Sequence, residues 1–236
     1  MLEGDFVLAG GCGGLGSATV RSLAAEGARV VASYRANRER AAALAEFATI
    51  VQAELAVAAD RARLLDAAPA LAGLVVFSGN PARVADASEM ESALRLSHEV
   101  NYLGPVLLAR EAAERMRASG TPGSIVLVST MQATALFPGS TAYAGAKAAL
   151  VHAARILAKE CRGKPNIRVN VVCPGVNRAG MAEASINSGK YDRYLHEGIV
   201  PRFGRAEDVA RAVRFFLEPD GYVTGQVLTV DGGLTL

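Results

Sequence analysis

Tyr143 and Lys147, in the stretch YAGAK, stand four residues apart. On a helix that spacing places both side chains on one face. A free phenol titrates near pH ~10 and moves protons poorly at neutral pH. A neighbouring ammonium favours the phenolate and is expected to lower that value, which makes the phenol a usable acid or base. The pair alone is common on exposed helices, so its context has to decide.

A second concentration of chemistry lies near the start of the chain. Five of the eight residues from Ala9 to Gly16 are glycine. Gly11, Gly13 and Gly16 read as GxGxxG; Gly10, Gly14 and Gly16 read as GxxxGxG. Either frame follows an apolar run (DFVLAG) and precedes a helix-like one, where backbone N–H groups and a helix N-terminus can hold a pyrophosphate. In the first frame an acid should end the second strand and bind a ribose hydroxyl. Tyr34 stands there instead, followed by Arg35, and no Asp or Glu lies between Gly27 and Arg38. An acid would repel a 2′-phosphate, whereas Arg35 can grip one bidentately. These residues favour NADP(H) over NAD(H), although Arg35, Arg38 and Arg40 also read as a solvated helix start.

The elements that must carry these groups alternate. Apolar runs at DFVLAG, ARVVASY, ATIVQAEL, GLVVFSGN, SIVLVST, IRVNVVCPG and GQVLTVDGG read as strands. Helical stretches separate them: LGSATVRSLAAEG, RERAAALAEF, ADRARLLDAAPAL, Glu89 to Ala118, Ala142 to Glu160, and DVARAVRFFLE. Apolar strands alternating with helices predict a parallel, doubly wound α/β sheet, with ligands beyond the C-terminal strand ends. The 236 residues suffice for one large domain, and no linker or repeat divides them. A net charge of +2 argues against a nucleic-acid partner. Cys12, Cys161 and Cys173 fit no disulfide framework or metal spacing and read as buried apolar residues of a reducing cytoplasm. No membrane span or leader segment is expected.

Taken in order, AGGCGGLG, VNYLG, IVLVST, YAGAK, IRVNVVCPG and YVTGQVLTVDGG give a chain that resembles the short-chain dehydrogenase/reductase family over essentially its whole length. It is most similar to the 3-oxoacyl carrier-protein reductase group. The resemblance implies a single Rossmann-type domain over 1–236 with seven parallel strands in the order 3-2-1-4-5-6-7. It also selects GxxxGxG, so Gly10, Gly14 and Gly16 become the cofactor glycines. Tyr143 would be the general acid, Lys147 would hold the nicotinamide ribose, and Asn101 would hold a water leading to the lysine. Thr130, with Ser129 beside it, occupies the position of the catalytic serine and keeps a hydroxyl for the substrate carbonyl. Leu15, Tyr34, Arg35, Glu54, Ser78, Gly79, Asn80, Pro174, Gly175 and Val176, with Tyr143 and Lys147, would complete the cofactor site.

The implied activity is NADP(H)-dependent reduction of a ketone or 3-oxoacyl carbonyl to an alcohol, on a free or carrier-bound small molecule. The alternative is a nucleotide-binding protein of the same fold with weak or different catalysis: dehydration, epimerisation or a non-catalytic role. A homotetramer or homodimer through the two long helices and the last strand is implied as well.

Several positions depart from the family pattern. Ala9 replaces a threonine that ties the glycine loop, so a looser loop is expected. FSGN (Phe77 to Asn80) replaces NNAG, Ala179 replaces a threonine, and Gly13 stands where a basic residue is common in NADP-dependent members. A substrate lid is expected at about 176–200, with Met181, Tyr191, Tyr194 and His196 facing Met131, Gln132 and Phe137. His98 and His152 have no metal spacing. Arg155, Lys159, Arg162, Lys164 and Arg168 form a basic cluster that could steer an acidic carrier protein or simply face solvent.

Overall fold

In the computed structural model, which describes residues 2–84 and 86–236, seven strands form one parallel sheet. They are β1 (Asp5–Ala9), β2 (Arg29–Tyr34), β3 (Thr49–Gln52), β4 (Leu71–Val76), β5 (Gly123–Val128), β6 (Ile167–Pro174) and β7 (Val227–Val230). Their order is β3-β2-β1-β4-β5-β6-β7, as the resemblance implies. The direction of the chain's spread reverses between β1 and β4. Loops leaving those two strands diverge there and open a crevice for a ligand.

The strands read as unbroken apolar runs because helices cover both faces. Every residue of β1 and of β6 is buried. Val7 and Ala9 point to one side, against α3 (Ala58–Asp66), α5 (Gly104–Ser119) and α6 (Thr141–Glu160), through Leu64, Leu65, Leu108, Met116 and Leu150. Phe6 and Leu8 point to the other, against α1 (Gly16–Ala25), α2 (Arg38–Ala42) and α9 (Ala206–Phe216), through Val20, Leu23, Val209, Val213 and Phe216. Each such fully buried side chain contributes about 1.5–3 kcal/mol. Two such layers hold the strand ends in fixed places.

Three elements differ from the sequence reading. The helix at RERAAALAEF stops at Ala42; Asn37 caps its start through the Arg40 N–H at 2.9 Å. Tight turns from Ala41 to Phe47 follow, which bury Leu44 and bring Phe47 beneath the Arg21 guanidinium. The third strand ends at Gln52, because Asp60 at the start of α3 takes the Glu54 N–H at 2.8 Å and turns the chain. The long helix from Glu89 is α4 (Met90–His98), a π turn (Glu99–Leu103) and α5. π turns are rare and often mark functional positions; this one contains Asn101.

Candidate active site

The glycine loop fills the gap between β1 and α1. Gly10 adopts φ +73°, a left-handed conformation open to glycine without strain. A β-carbon on Gly16 would lie 2.7 Å from Gly11 Cα, so α1 can pack this closely on the loop only with glycine there. A side chain at Gly14 would collide with the backbone of Gly180, on the far side of the cleft. The Gly10 N–H donates to Ser33 Oγ at 2.9 Å. That bond corrects the expectation of a loose loop: the hydroxyl missing at Ala9 is supplied from β2, one residue past the last register pair, Leu8 with Ala32. Leu15 packs partly buried beneath the loop, and Tyr34 ends β2 half-buried. Arg35 is exposed and lies 3.6 Å from the Glu54 carboxylate, a loose pair that leaves its guanidinium free to turn toward an anion.

Across the switch point, β4, β5 and α6 bring Thr130, Tyr143 and Lys147 together. Lys147 is buried, and its ammonium donates to the carbonyls of Val128 at 2.8 Å and Ser78 at 3.1 Å. Burial pulls its pKa down to about 8, so it remains mostly cationic at neutral pH. Ser129 Oγ donates to the Lys147 carbonyl at 3.0 Å, which turns Ser129 toward α6 and leaves Thr130 as the hydroxyl next to Tyr143.

The tyrosine corrects another expectation. Its pKa is pushed up to about 12, because burial of the phenolate outweighs the Thr130 hydrogen bond acting in the other direction. The Lys147 ammonium, held in place by two backbone carbonyls, does not offset that burial.

The Asn101 side chain is bonded to protein partners through both its oxygen and its nitrogen. Its Oδ1 accepts the Asn80 N–H at 2.8 Å, and its Nδ2 donates to the Asn80 carbonyl and to Ser97 Oγ, both at 2.9 Å. Ser97 in turn donates to the Ala142 carbonyl at 2.7 Å. This chain of bonds ties the loop after β4, through the π turn, to the residue preceding Tyr143. The altered FSGN segment is held partly through the Asn80 backbone, while the Asn80 side-chain oxygen accepts the Ala82 N–H at 2.8 Å and Phe77 packs against the core. Gly79 leaves a gap where Asn101 Oδ1, Met181 Cε and Lys147 Cε converge, 3.3, 3.5 and 3.8 Å from where a β-carbon would stand.

Of the remaining sequence candidates, Pro174 ends β6, and Gly175 packs on Asp231, whose Cα and Cβ would lie 2.6 Å from a β-carbon there. Val176 is buried in an apolar cluster with Met131, Ile186 and Phe203. Phe137, Tyr191 and Leu195 pack against that cluster and join the loop before α6 to the segment after β6. That segment contains two short helices, α7 (Glu183–Asn187) and α8 (Asp192–His196). Tyr191 and Tyr194 stack at 6.1 Å, while His196 is exposed at the end of α8.

The basic cluster does not survive as five surface charges. Arg168 is buried, and its guanidinium donates to the carbonyls of Phe216 and Glu218 at 2.9 and 2.6 Å, bracing β6 against the end of α9. Cys12, Cys161 and Cys173 are buried free thiols. Among the described residues, no cluster of His, Cys, Asp and Glu could hold a metal ion, and no helix is long and apolar enough to cross a membrane.

Sequence reasoning missed Ser33, Ser97 and Arg83. Arg83 spans the cleft, donating to the Met181 carbonyl at 3.0 Å and to Ser185 Oγ at 3.2 Å. Ser33 was within reach, because a polar residue at the end of an otherwise apolar strand invites a search for its partner. Ser97 and Arg83 carried no such signal.

The residues fit a nicotinamide dinucleotide. A side-chain-free cradle leads from the β1 loop toward a buried cation and a phenol, with an arginine at the far end. Known proteins agree. A family model described as enoyl-(acyl carrier protein) reductase matches residues 10–235. The chain is 34% identical to an uncharacterized oxidoreductase of Methylorubrum extorquens, over 99% of this chain and 98% of that one. It is 34% identical to carbonyl reductase family member 4 of Danio rerio, over 98% and 97%. Its structure matches that of the NADPH-dependent 3-quinuclidinone reductase of Rhodotorula rubra with a TM-score of 0.84 at 25% identity, covering 99% of this chain and 92% of that one. With a matching sheet order and relatives aligned from end to end, the chain belongs to the short-chain dehydrogenase/reductase family, as an NAD(P)-dependent oxidoreductase.

Proposed function

We propose that the protein is an NADPH-dependent carbonyl reductase in which Tyr143 is the general acid. The observation that carries this reading is the meeting of Thr130, Tyr143 and buried Lys147 beside the glycine cradle. When bound, the reduced nicotinamide supplies a hydride, so that carbonyl, NADPH and one proton give alcohol and NADP⁺. Gly10, Gly14 and Gly16 bring the backbone close to the pyrophosphate, and Arg35 holds the 2′-phosphate. Thr130 donates a hydrogen bond to the substrate oxygen and aligns it. Tyr143 delivers its proton to that oxygen as negative charge develops there, and regains a proton from solvent.

Tyr143 holds its proton at neutral pH and so has one to give, although burial, which pushes its pKa up to about 12, makes it a weaker acid than a free phenol. Lys147 stabilises the tyrosinate left behind, through space, from a position fixed by two carbonyls. The NADPH-dependent name of the Rhodotorula rubra enzyme supports the cofactor choice.

The whole chain is then one nucleotide-binding domain, with the segment at about 176–200 as its substrate lid. A second copy packs on the groove between α4 and α6, where Leu94, Ala142, Gly145, Ala146 and Ala149 lie beside Arg95, His98 and Thr141. The test is purified protein mixed with NADPH or NADH and a panel of 3-oxo esters, ketones and aldehydes, followed by nucleotide absorbance. Oxidation of NADPH in preference to NADH is expected. Oxidation of neither, with every carbonyl tried, sinks the reading.

A further inference from the structure

The segment that follows β6 crosses the cleft and lands on the glycine loop itself. A β-carbon on Gly14 would stand 2.4 Å from the Gly180 nitrogen, and one on Gly180 would stand 3.7 Å from Gly14 Cα. A β-carbon lies about 1.5 Å from its own Cα, so Gly14 Cα and the Gly180 nitrogen are at most about 3.9 Å apart. The two backbones touch. A phosphate bonded from both walls through N–H···O contacts of about 2.9 Å needs those walls at least about 6 Å apart. Further in, Met181 Cε and Lys147 Cε reach the same gap, 3.5 and 3.8 Å from where a β-carbon on Gly79 would stand. Residues 179–181 therefore occupy the space between the glycine loop and the buried cation.

Arg83 holds that segment down from the opposite wall. Its Nη2 donates to the Met181 carbonyl at 3.0 Å and to Ser185 Oγ at 3.2 Å. The residues beside it are anchored. The Ala82 N–H donates to Asn80 Oδ1 at 2.8 Å, and Ala82 and Val84 pack with Ala93, Ala142 and Tyr143. Ala82 adopts φ +44°, a conformation uncommon for a residue with a β-carbon and found most at clamps and switches. Both bonds of Arg83 are exposed, so water can replace them. We propose that Arg83 is the clasp of a cofactor gate: residues 179–181 lie in the path of the dinucleotide, which enters once the Arg83 bonds part and Gly180 lifts off Gly14. What is gated is the nucleotide, ahead of any carbonyl substrate. This inference rests on the nucleotide-cleft reading above. The apparent Kd of a gated site is the intrinsic one divided by the open fraction, so weakening the clasp tightens binding. A clamp built to close on bound nucleotide would behave in the opposite way.

The test follows NADPH fluorescence on binding, by titration and by rapid mixing, in about 0.5 M salt so that the charge lost with Arg83 is screened. Arg83→Ala should bind NADPH about five- to tenfold more tightly than the unaltered protein and associate faster, the effect of two exposed hydrogen bonds on the open fraction. Ser185→Ala removes one of the two bonds and should tighten binding about two- to threefold. It also serves as the test should Arg83→Ala fail to fold. Hydrogen exchange of the cofactor-free proteins reads the clasp directly: amides of residues 180–187 should exchange faster in Arg83→Ala, while those of β5 stay as they were. NADPH binding that is unchanged or weaker in both variants overturns the gate, and unchanged exchange overturns the clasp. Absence of NADPH binding by all three proteins overturns the nucleotide-cleft reading itself.

Discussion

Lys147, Asn101 and Ser97 are buried and bonded to backbone, at Val128, Ser78, Asn80 and Ala142. Across the cleft, α7 and α8 are five residues each, and they pack through half-buried rings and exposed cations such as Lys190 over Tyr191 and Arg193 over Tyr194. The first region is fixed by the sheet. The second touches the sheet mainly through its own small apolar cluster. Elements with few buried contacts open most readily. The contrast separates proton transfer, which needs fixed groups, from substrate entry, which needs a movable wall.

Substitutions should therefore divide along the same line. The largest effect is expected at Tyr143. Tyr143→Phe keeps the ring and removes the proton, so kcat should fall about 10³-fold while the melting temperature and NADPH binding barely change. Steady-state kinetics and a cofactor titration check this; near-normal kcat would remove Tyr143 from its role.

The next effect is a pH dependence set by burial. Lys147 titrates at about 8 in the fold against 10.5 for a free lysine. Below pH 8 it is charged in both states, and the full burial penalty applies. Between 8 and 10.5 the folded state has lost the proton while the unfolded chain still binds it, so stability rises with pH. Above pH 10 Tyr143 acts oppositely, because it holds its proton to about 12 when folded. Over pH 8 to 10 the cofactor-free protein should gain about 2–3 kcal/mol relative to Lys147→Met. Denaturant unfolding of both proteins at the two pH values measures it. Parallel curves would mean that the lysine is solvated.

A smaller effect is expected at the rim of the rigid half. Arg35→Ala should raise the KM for NADPH about tenfold and leave that for NADH nearly unchanged. Equal shifts for the two nucleotides would show that Arg35 does not read the phosphate. The smallest effect belongs to the lid. Tyr191→Ala loses its stack with Tyr194 and part of the apolar cluster, and should cost about 1 kcal/mol in stability while raising substrate KM a few-fold at constant kcat. If kcat fell with it, the line between the two regions would disappear.

The same division governs how far the sequence could be read. The sheet was legible, because fully buried parallel strands must be continuously apolar and helices must separate them. Tyr143, Lys147 and the glycines were legible because spacing along one element carried them. What was hidden depends on partners far apart in the chain. Ser33 reaches Gly10, Ser97 reaches Ala142, and Arg168 reaches Phe216. The environment of Tyr143 was misjudged for the same reason: the burial that raises its pKa comes from segments far apart in the chain, and no local pattern announces it. Arg168 was taken as surface charge because its neighbours in the chain are charged; within a buried strand its own position faces inward.

The π turn at Glu99–Leu103 makes the length of the chain part of the site. It joins two helices whose buried faces serve different ends: Ala93 and Ser97 of α4 meet the start of α6, while Leu108, Ala112 and Met116 of α5 meet the sheet. Each residue of a helix advances it by about 100°. Removing a single residue from the turn would swing α4 away from α6 by roughly that angle, and Ser97 would no longer reach Ala142 or Asn101. No choice of amino acid on either helix could restore the phase, so this stretch should tolerate substitution far better than a change in length.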